Sequence, residues 1–120
     1  MDVIDLLLKT DVPDLPEKEF KVKRLSELCG GDVVFSLRAL PYSRAAELSK
    51  MEADSSVHII LAGTVSPDLK NSELLEKHAA ATPAELVKKM LLPGEIEDLS
   101  REVEKLSGYR QRTLEELKKK

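Results

Sequence analysis

The sequence is poor in aromatic residues and in cysteine. The first shortage excludes a core built on aromatic rings, and the second excludes a fold held by disulfides. Aromatic side chains make up 3 % of the 120 residues and tryptophan is absent, so aliphatic side chains, leucine above all, must build the core. The single cysteine, Cys29, excludes an internal disulfide, and a reduced cytosolic setting is the simplest interpretation. A chain of this length has room for one hydrophobic core, which predicts a single domain.

The sequence also lacks a dominant charge and long apolar runs. A formal net charge of −3, from 19 basic and 22 acidic residues, gives no electrostatic reason to bind nucleic acid or an anionic membrane. The longest apolar stretch, residues 57–65, falls far short of the roughly 18 residues that a membrane-spanning helix needs. The N-terminus opens with acidic residues rather than the basic segment of a secretory signal. We therefore expect no nucleic-acid partner and no membrane association.

Residues that catalyse reactions or bind metals are sparse. His58 and His78 have neither HExxH spacing nor the spacing to Cys29 that a zinc site requires. Gly30-Gly31 lacks the context of a phosphate-binding loop, no serine lies in a GxSxG elbow, and the acid pairs lie among lysines and arginines, as is typical of solvated helix faces. We expect no catalytic residue, no metal and no cofactor, while a site assembled from scattered residues stays an open alternative.

The N-terminal third of the chain is predicted to form an arm followed by a hairpin. Prolines in TDVPDLPEKE predict an extended arm over residues 1–19, within which residues 2–9 could form one or two helical turns. Alternating apolar residues on both sides of Gly30-Gly31 then predict a β-hairpin over residues 20–40. In this interpretation the glycines supply the positive φ angles that a tight hairpin turn demands.

Helical spacing begins after the hairpin. Recurring apolar residues predict a helix over residues 41–53, and residues 55–65 fit either a buried helix or a buried strand, of which we favour the helix. Asn71 or Ser72 is placed to cap a short helix that ends near His78.

The last two helices carry the strongest local signals. Thr82-Pro83-Ala84-Glu85 predicts a capping box with proline at the first helical position. Pro93 ends this helix and can open the next one, and Gly108 is placed to provide a left-handed C-terminal cap. The fold class predicted is α+β: a mainly helical single domain over residues 20–109, with about five helices in residues 41–108 and an N-terminal β-hairpin. Residues 110–120 are expected to form a frayed, charged helical tail.

The last helix admits two functional interpretations besides a purely structural one. A helix-turn-helix that meets at Gly94 is disfavoured, because residues 95–106 contain five acidic and two basic residues and phosphates would repel that surface. Its apolar stripe, formed by Ile96, Leu99, Val103 and Leu106, either closes the domain's own core, which we favour, or meets another chain.

The segment SPDLKNSELLEKHAAATPAELVKKMLLPGEIEDLSREVEKLSGY, together with KVKRLSEL, closely resembles the XkdN-like tail assembly chaperones of tailed phages and defective prophages. The resemblance spans most of the chain and is densest over residues 66–109. It implies a non-enzymatic protein of the bacterial host cytoplasm, absent from the mature virion, that keeps the tape measure protein soluble and assists polymerisation of the major tail tube protein. It also implies that a longer, frameshifted form could exist. Self-association is left open.

The family supplies no site residues to transfer, so binding residues must be inferred from apolar chemistry. Leucines at an abrupt helix junction either hold two helices together or present an apolar corner to a helical client. The candidates for partner binding are Leu91, Leu92, Pro93, Ile96 and Leu99. The alternative function is a small acidic adaptor or regulatory domain that binds one folded protein partner.

Overall fold

The structure, a computed structural model, describes residues 2–12 and 14–118, which form seven helices and one three-stranded antiparallel sheet. In chain order the elements are α1 (Val3–Lys9), β1 (Glu17–Lys21), α2 (Lys23–Cys29), β2 (Val34–Arg38), α3 (Tyr42–Ser49), α4 (Ser55–Gly63), β3 (Thr64–Ser66), α5 (Ser72–Lys77), α6 (Pro83–Met90) and α7 (Pro93–Leu106). The α+β class is as predicted, and residues 41–108 contain five helices, as expected; the two further helices of the described residues, α1 and α2, lie in the segments predicted as arm and hairpin.

The sheet has the order β1-β2-β3, with β2 in the centre. Phe20 of β1 lies opposite Phe35 of β2, and Phe35 and Leu37 are completely buried while the residues between and beside them are not. This alternation agrees with the alternating apolar residues that predicted a strand after Gly30-Gly31. The third strand, β3, was not predicted and pairs with β2 through Ser66 and Thr64.

The predicted hairpin over residues 20–40 needs correction, because its strands are joined by helix α2 rather than by a tight turn. Gly30 has a φ of 72° and its N–H donates to the carbonyl of Ser26, so its left-handed conformation ends a helix. The Ser26 hydroxyl is buried; it donates to the Val22 carbonyl at 2.8 Å and accepts from the Val33 N–H at 2.8 Å. Ser26 thereby joins α2 to the chain that enters β2.

Helix α4 runs through the centre of the core. The helix favoured for residues 55–65 is confirmed over Ser55–Gly63, after which the chain continues as β3. Ile60 is completely buried, and Gly63 lies so close to α7 that a Cβ added there would approach the methyl carbons of Val103 at 2.6 and 2.7 Å. The packing of α4 on α7 therefore requires glycine at this crossing. Helix α3 is shorter than the predicted 41–53.

Three of the helix ends match the sequence signals closely. The Asn71 side chain accepts from the Leu74 N–H at the start of α5. Thr82 caps α6 by accepting from the Glu85 N–H, but Glu85 itself accepts from Ala81 rather than from Thr82. After α7, Gly108 has a φ of 96° and closes a pair of backbone hydrogen bonds typical of a Schellman motif.

The two ends of the chain lie outside this core. Helix α1 occupies residues 3–9 of the predicted arm, where helical turns were expected within residues 2–9, and it contains no buried residue. At the other end, residues 112–118 contain no helix, in contrast to the helical tail that we expected. The described residues extend over 61 × 33 × 25 Å.

Candidate partner-binding surface

An ion pair between Arg24 and Glu95 fixes the junction of α6 and α7. The Arg24 Nε donates to Glu95 Oε2 at 3.0 Å and its Nη2 donates to Glu95 Oε1 at 2.9 Å, which is the two-pronged geometry favoured by guanidinium and carboxylate. The same Nη2 donates to the carbonyl of Met90, and Glu95 Oε1 accepts from the Leu92 N–H at 2.7 Å. One arginine from α2 thus holds the end of one helix and the start of the next.

The pair is more sheltered than the other ion pairs of the described surface, with 35 % of the Arg24 side chain and 18 % of the Glu95 side chain exposed. The hydrogen bond from Arg24 lowers the pKa of Glu95 below its ordinary value, and the Leu92 N–H acts in the same direction. The hydrogen bond with Glu95 raises the pKa of Arg24. Both groups are therefore charged at neutral pH.

The predicted binding residues divide into exposed and buried positions at this junction. Leu92 is 50 % exposed, Pro93 is exposed and Ile96 is half-buried. Leu91 and Leu99 are 4 % and 6 % exposed and contribute to the core. The three residues that keep a solvent-accessible side chain form an apolar corner, which we define as Leu92, Pro93 and the half-buried Ile96.

The Arg24–Glu95 pair also lines a groove between the β1–α2 segment and α7. Its volume is about 460 Å³, and Phe20, Val22 and Leu99 supply its apolar lining. One wall carries basic residues and the opposite wall carries acidic residues, namely Lys21 and Lys23 against Asp98 and Glu102. Leu99 therefore reaches a surface groove although it contributes to the core.

Leu28 is an exposed apolar residue that the sequence reasoning missed. It is 71 % exposed and follows Arg24 by four residues, so the two share a face of α2. Arg24 on this face reaches the α6–α7 junction through its side chain, whereas Leu28 lies in solvent. The spacing of Leu25 and Leu28 is typical of a helix and could have identified it, but this segment was interpreted as part of the hairpin.

The described residues contain neither a metal-holding cluster nor a membrane-spanning helix. No group of three or more His, Cys, Asp or Glu in residues 2–12 and 14–118 is arranged to hold a metal ion. Within those same ranges, no helix combines the length and the apolar character needed to cross a membrane.

The comparison with protein families identifies the chain. The family model described as "Phage XkdN-like tail assembly chaperone protein" matches residues 52–119, more than half of the 120 residues. The chain belongs to the XkdN-like tail assembly chaperone family. This confirms the resemblance drawn from the sequence. The match contains the apolar corner and all of α7, whereas Arg24 and Leu28 lie N-terminal to it.

A solved structure agrees with the fold of this chaperone family member. The crystal structure of the protein YqbN resembles it with a TM-score of 0.66 at 24 % sequence identity, over 90 % of this chain and 99 % of that chain. At this identity the likeness supports the fold alone. A search of curated proteins found no match.

Proposed function

We propose that this chaperone binds the tape measure protein, the major tail protein or both, and keeps them competent for assembly during tail morphogenesis. Membership of the tail assembly chaperone family is the observation that carries the proposal. In this role the protein is non-enzymatic, acts in the cytoplasm of the bacterial host and is absent from the mature virion.

The apolar corner is the surface that we assign to the client. Leu92 and Pro93 are exposed at the start of α7, where the Arg24–Glu95 pair holds the Met90 carbonyl and the Leu92 N–H just before them. A surface that is held in place before binding loses little conformational freedom when a partner arrives. An aliphatic side chain that a client removes from water there contributes roughly 1.5–3 kcal/mol at complete burial.

The groove indicates which kind of client segment fits beside the corner. Its apolar lining can receive side chains that recur on one face of an amphipathic helix. Its opposed walls, basic at Lys21 and Lys23 and acidic at Asp98 and Glu102, favour a helix whose flanks carry opposite charges. We therefore propose that the client presents an amphipathic helical segment that spans the groove and the corner.

Co-expression tests the proposed function. The chain is produced with a tag, together with the tape measure protein or the major tail protein encoded in the same phage or prophage, and the soluble fraction of each client is measured with and without the chain. We expect a larger soluble fraction and co-purification of at least one client. A folded chain that leaves both clients insoluble and captures neither would contradict the proposal, and a stoichiometric complex with another, already soluble protein would favour the adaptor alternative.

Two substitutions test the proposed surface separately. Leu92→Asp places a charge at the centre of the corner, whereas Leu114→Asp makes the same change in the C-terminal tail, where the leucine is 84 % exposed. We expect only Leu92→Asp to remove client solubility, with the unfolding temperatures of both variants close to that of the unmodified chain. If client solubility survives in a folded Leu92→Asp variant, the corner is not the binding surface.

A further inference from the structure

The two residues between α6 and α7 point their side chains in opposite directions. Leu91 has φ and ψ of −108° and 147°, and Leu92 has −73° and 153°, so both are extended. Successive side chains of an extended chain face opposite sides, and Leu91 is accordingly buried while Leu92 is half exposed. Because the hydrophobic effect favours moving Leu92 out of water, its exposed position depends on a backbone that is held in place.

The backbone at this junction is held by Arg24 and Glu95. The carbonyl of Met90, the last residue of α6, accepts from Arg24 Nη2 at 3.0 Å. The N–H of Leu92 donates to Glu95 Oε1 at 2.7 Å, and Arg24 donates to both oxygens of the same carboxylate. Arg24 therefore fixes the chain directly at Met90 and, through Glu95, at Leu92. Both backbone groups belong to helix ends, where partners from within the helix are missing.

Helix α2 gives Arg24 a fixed base. Leu25 packs against the core. The buried Ser26 hydroxyl donates to the Val22 carbonyl and accepts from the Val33 N–H, both at 2.8 Å. These contacts tie α2 to the segments that leave β1 and enter β2, so the guanidinium is anchored outside the two helices that it joins.

Arginine suits this position through its geometry as well as its charge. Its planar guanidinium makes three hydrogen bonds here, two to Glu95 and one to Met90. A cation beside the last carbonyls of one helix and an anion in the first turn of the next are both favoured by the helix dipoles. Lysine would keep the charge but lose the two-pronged contact with the carboxylate.

We propose that Arg24 is a positioning residue for client binding, a role that rests on the proposed client surface. Without touching the client, it holds the α6–α7 junction in the conformation that leaves Leu92 and Pro93 in water. Arg24 lies outside the family match over residues 52–119, so α2 determines how the matched part of the chain presents its apolar corner. Ordering a loose backbone during binding costs free energy, and a corner held beforehand avoids that cost.

Amide hydrogen exchange of the full chain, without any client, tests the positioning itself. The Leu92 N–H is protected by its hydrogen bond to Glu95, and we expect its exchange to accelerate at least about tenfold in Arg24→Met, more than that of the core amide of Val103. Arg44→Met removes the same group from an exposed ion pair and should leave the Leu92 rate unchanged. A Leu92 rate that does not change in folded Arg24→Met, or rises no more than that of Val103, overturns the proposal.

A double-mutant cycle tests the consequence for client binding. The probe is the tape measure protein or the major tail protein of the same phage or prophage, whichever the unmodified chain binds. We expect its dissociation constant to rise about three- to tenfold in Arg24→Met and in Glu95→Met. The double variant should bind no more weakly than the weaker single variant, because both residues act through one contact. Arg24→Lys should recover only part of the loss, and Arg44→Met should show none.

The outcomes separate positioning from direct contact. Losses that add up in the double variant, or full recovery in Arg24→Lys, would show that the charge of Arg24 acts on the client itself, and either result overturns the proposal. Unchanged client binding by a folded Arg24→Met chain overturns it as well. If the unmodified chain binds neither protein, the proposed function fails, whereas the exchange rate of Leu92 still decides whether Arg24 holds the corner.

Discussion

Replacing Gly63 by alanine tests the closest helix contact of the core. The new Cβ would lie 2.6 and 2.7 Å from the two methyl carbons of Val103 and 3.2 Å from the carbonyl oxygen of Arg38. Val103 is completely buried in α7, and a valine within a helix strongly prefers one rotamer, so neither methyl can turn away cheaply. The backbone of β2 closes the remaining side. Helices α4 and α7 must therefore move apart for the alanine to fit.

The expected cost follows from two opposing effects. Overpacking of a well-packed core typically lowers the free energy of unfolding by about 1–3 kcal/mol. Replacing glycine by alanine within a helix raises it by at most about 1 kcal/mol. Because Gly63 is the last residue of α4, the gain from alanine is small there, and we expect the free energy of unfolding to fall by about 1–2 kcal/mol. Denaturant unfolding measures it, and a fall in melting temperature of roughly 4 °C per kcal/mol should accompany it.

Two further variants isolate the steric cause. Gly94→Ala places the same methyl group in the first turn of α7, where nothing lies within 4 Å, and should stabilise the protein by about 0.5–1 kcal/mol. Val103→Ala removes both obstructing methyl carbons, so the cost of Gly63→Ala should fall markedly in the double variant. A Gly63→Ala protein as stable as the unmodified chain, or a cost that Val103→Ala leaves unchanged, would refute the steric account.

Three other substitutions test separate contacts. Ser26→Ala should cost about 1–3 kcal/mol in denaturant unfolding, because the Val33 N–H loses its acceptor; a change under about 0.5 kcal/mol would show that the contact between α2 and β2 is dispensable. Thr82→Ala should cost about 1 kcal/mol through loss of the α6 cap, and an unchanged melting temperature would contradict this. Glu95→Gln should destabilise the protein at pH 7, and unfolding at a series of pH values should show this difference shrinking below pH 4.5. Arg24 lowers the folded-state pKa of Glu95 from its ordinary 4.5, so the stabilisation is present above that value and is lost as pH falls through the lowered pKa; a difference that is independent of pH would contradict the role of the ion pair.

The elements predicted well from the sequence are those fixed by neighbouring residues. The α6 cap at Thr82, the start of α7 at Pro93 and the left-handed cap at Gly108 all depend on residues within one or two turns. Local hydrogen bonds of this kind leave fixed residue types at fixed spacings. The same reasoning held for the Asn71 cap of α5.

The predictions of secondary structure failed where two local patterns overlap, or where contacts with residues distant in sequence determine the structure. Alternation from Phe20 continues through Lys23, so strand β1 and the first turn of α2 looked like one strand, and Gly30 fits a hairpin turn as readily as a helix end. Strand β3 has three residues and exists through its pairing with β2. Such pairing leaves almost no signal in a three-residue segment.

The sequence predicted where in the chain the candidate surface lies, but not which of its residues are exposed. The sequence placed it at the leucine-rich junction, but periodicity could not show that Leu91 turns inward while Leu92 stays half exposed. The contact between Arg24 and Glu95 joins residues 71 positions apart, and no local pattern predicts such a pair. Leu28 was missed for the related reason that its helix was not recognised.

The measurement that tests the central claim most directly uses purified components. Denatured tape measure protein is diluted into buffer with a stoichiometric amount of this chain, and its aggregation is followed by light scattering; the major tail protein is tested in the same way. We predict that the unmodified chain and Leu114→Asp suppress aggregation of at least one of these proteins, and that Leu92→Asp, although folded, does not. Aggregation of both proteins that proceeds equally with and without the folded chain would contradict the chaperone account, and suppression by Leu92→Asp as strong as by the unmodified chain would contradict the assignment of the apolar corner.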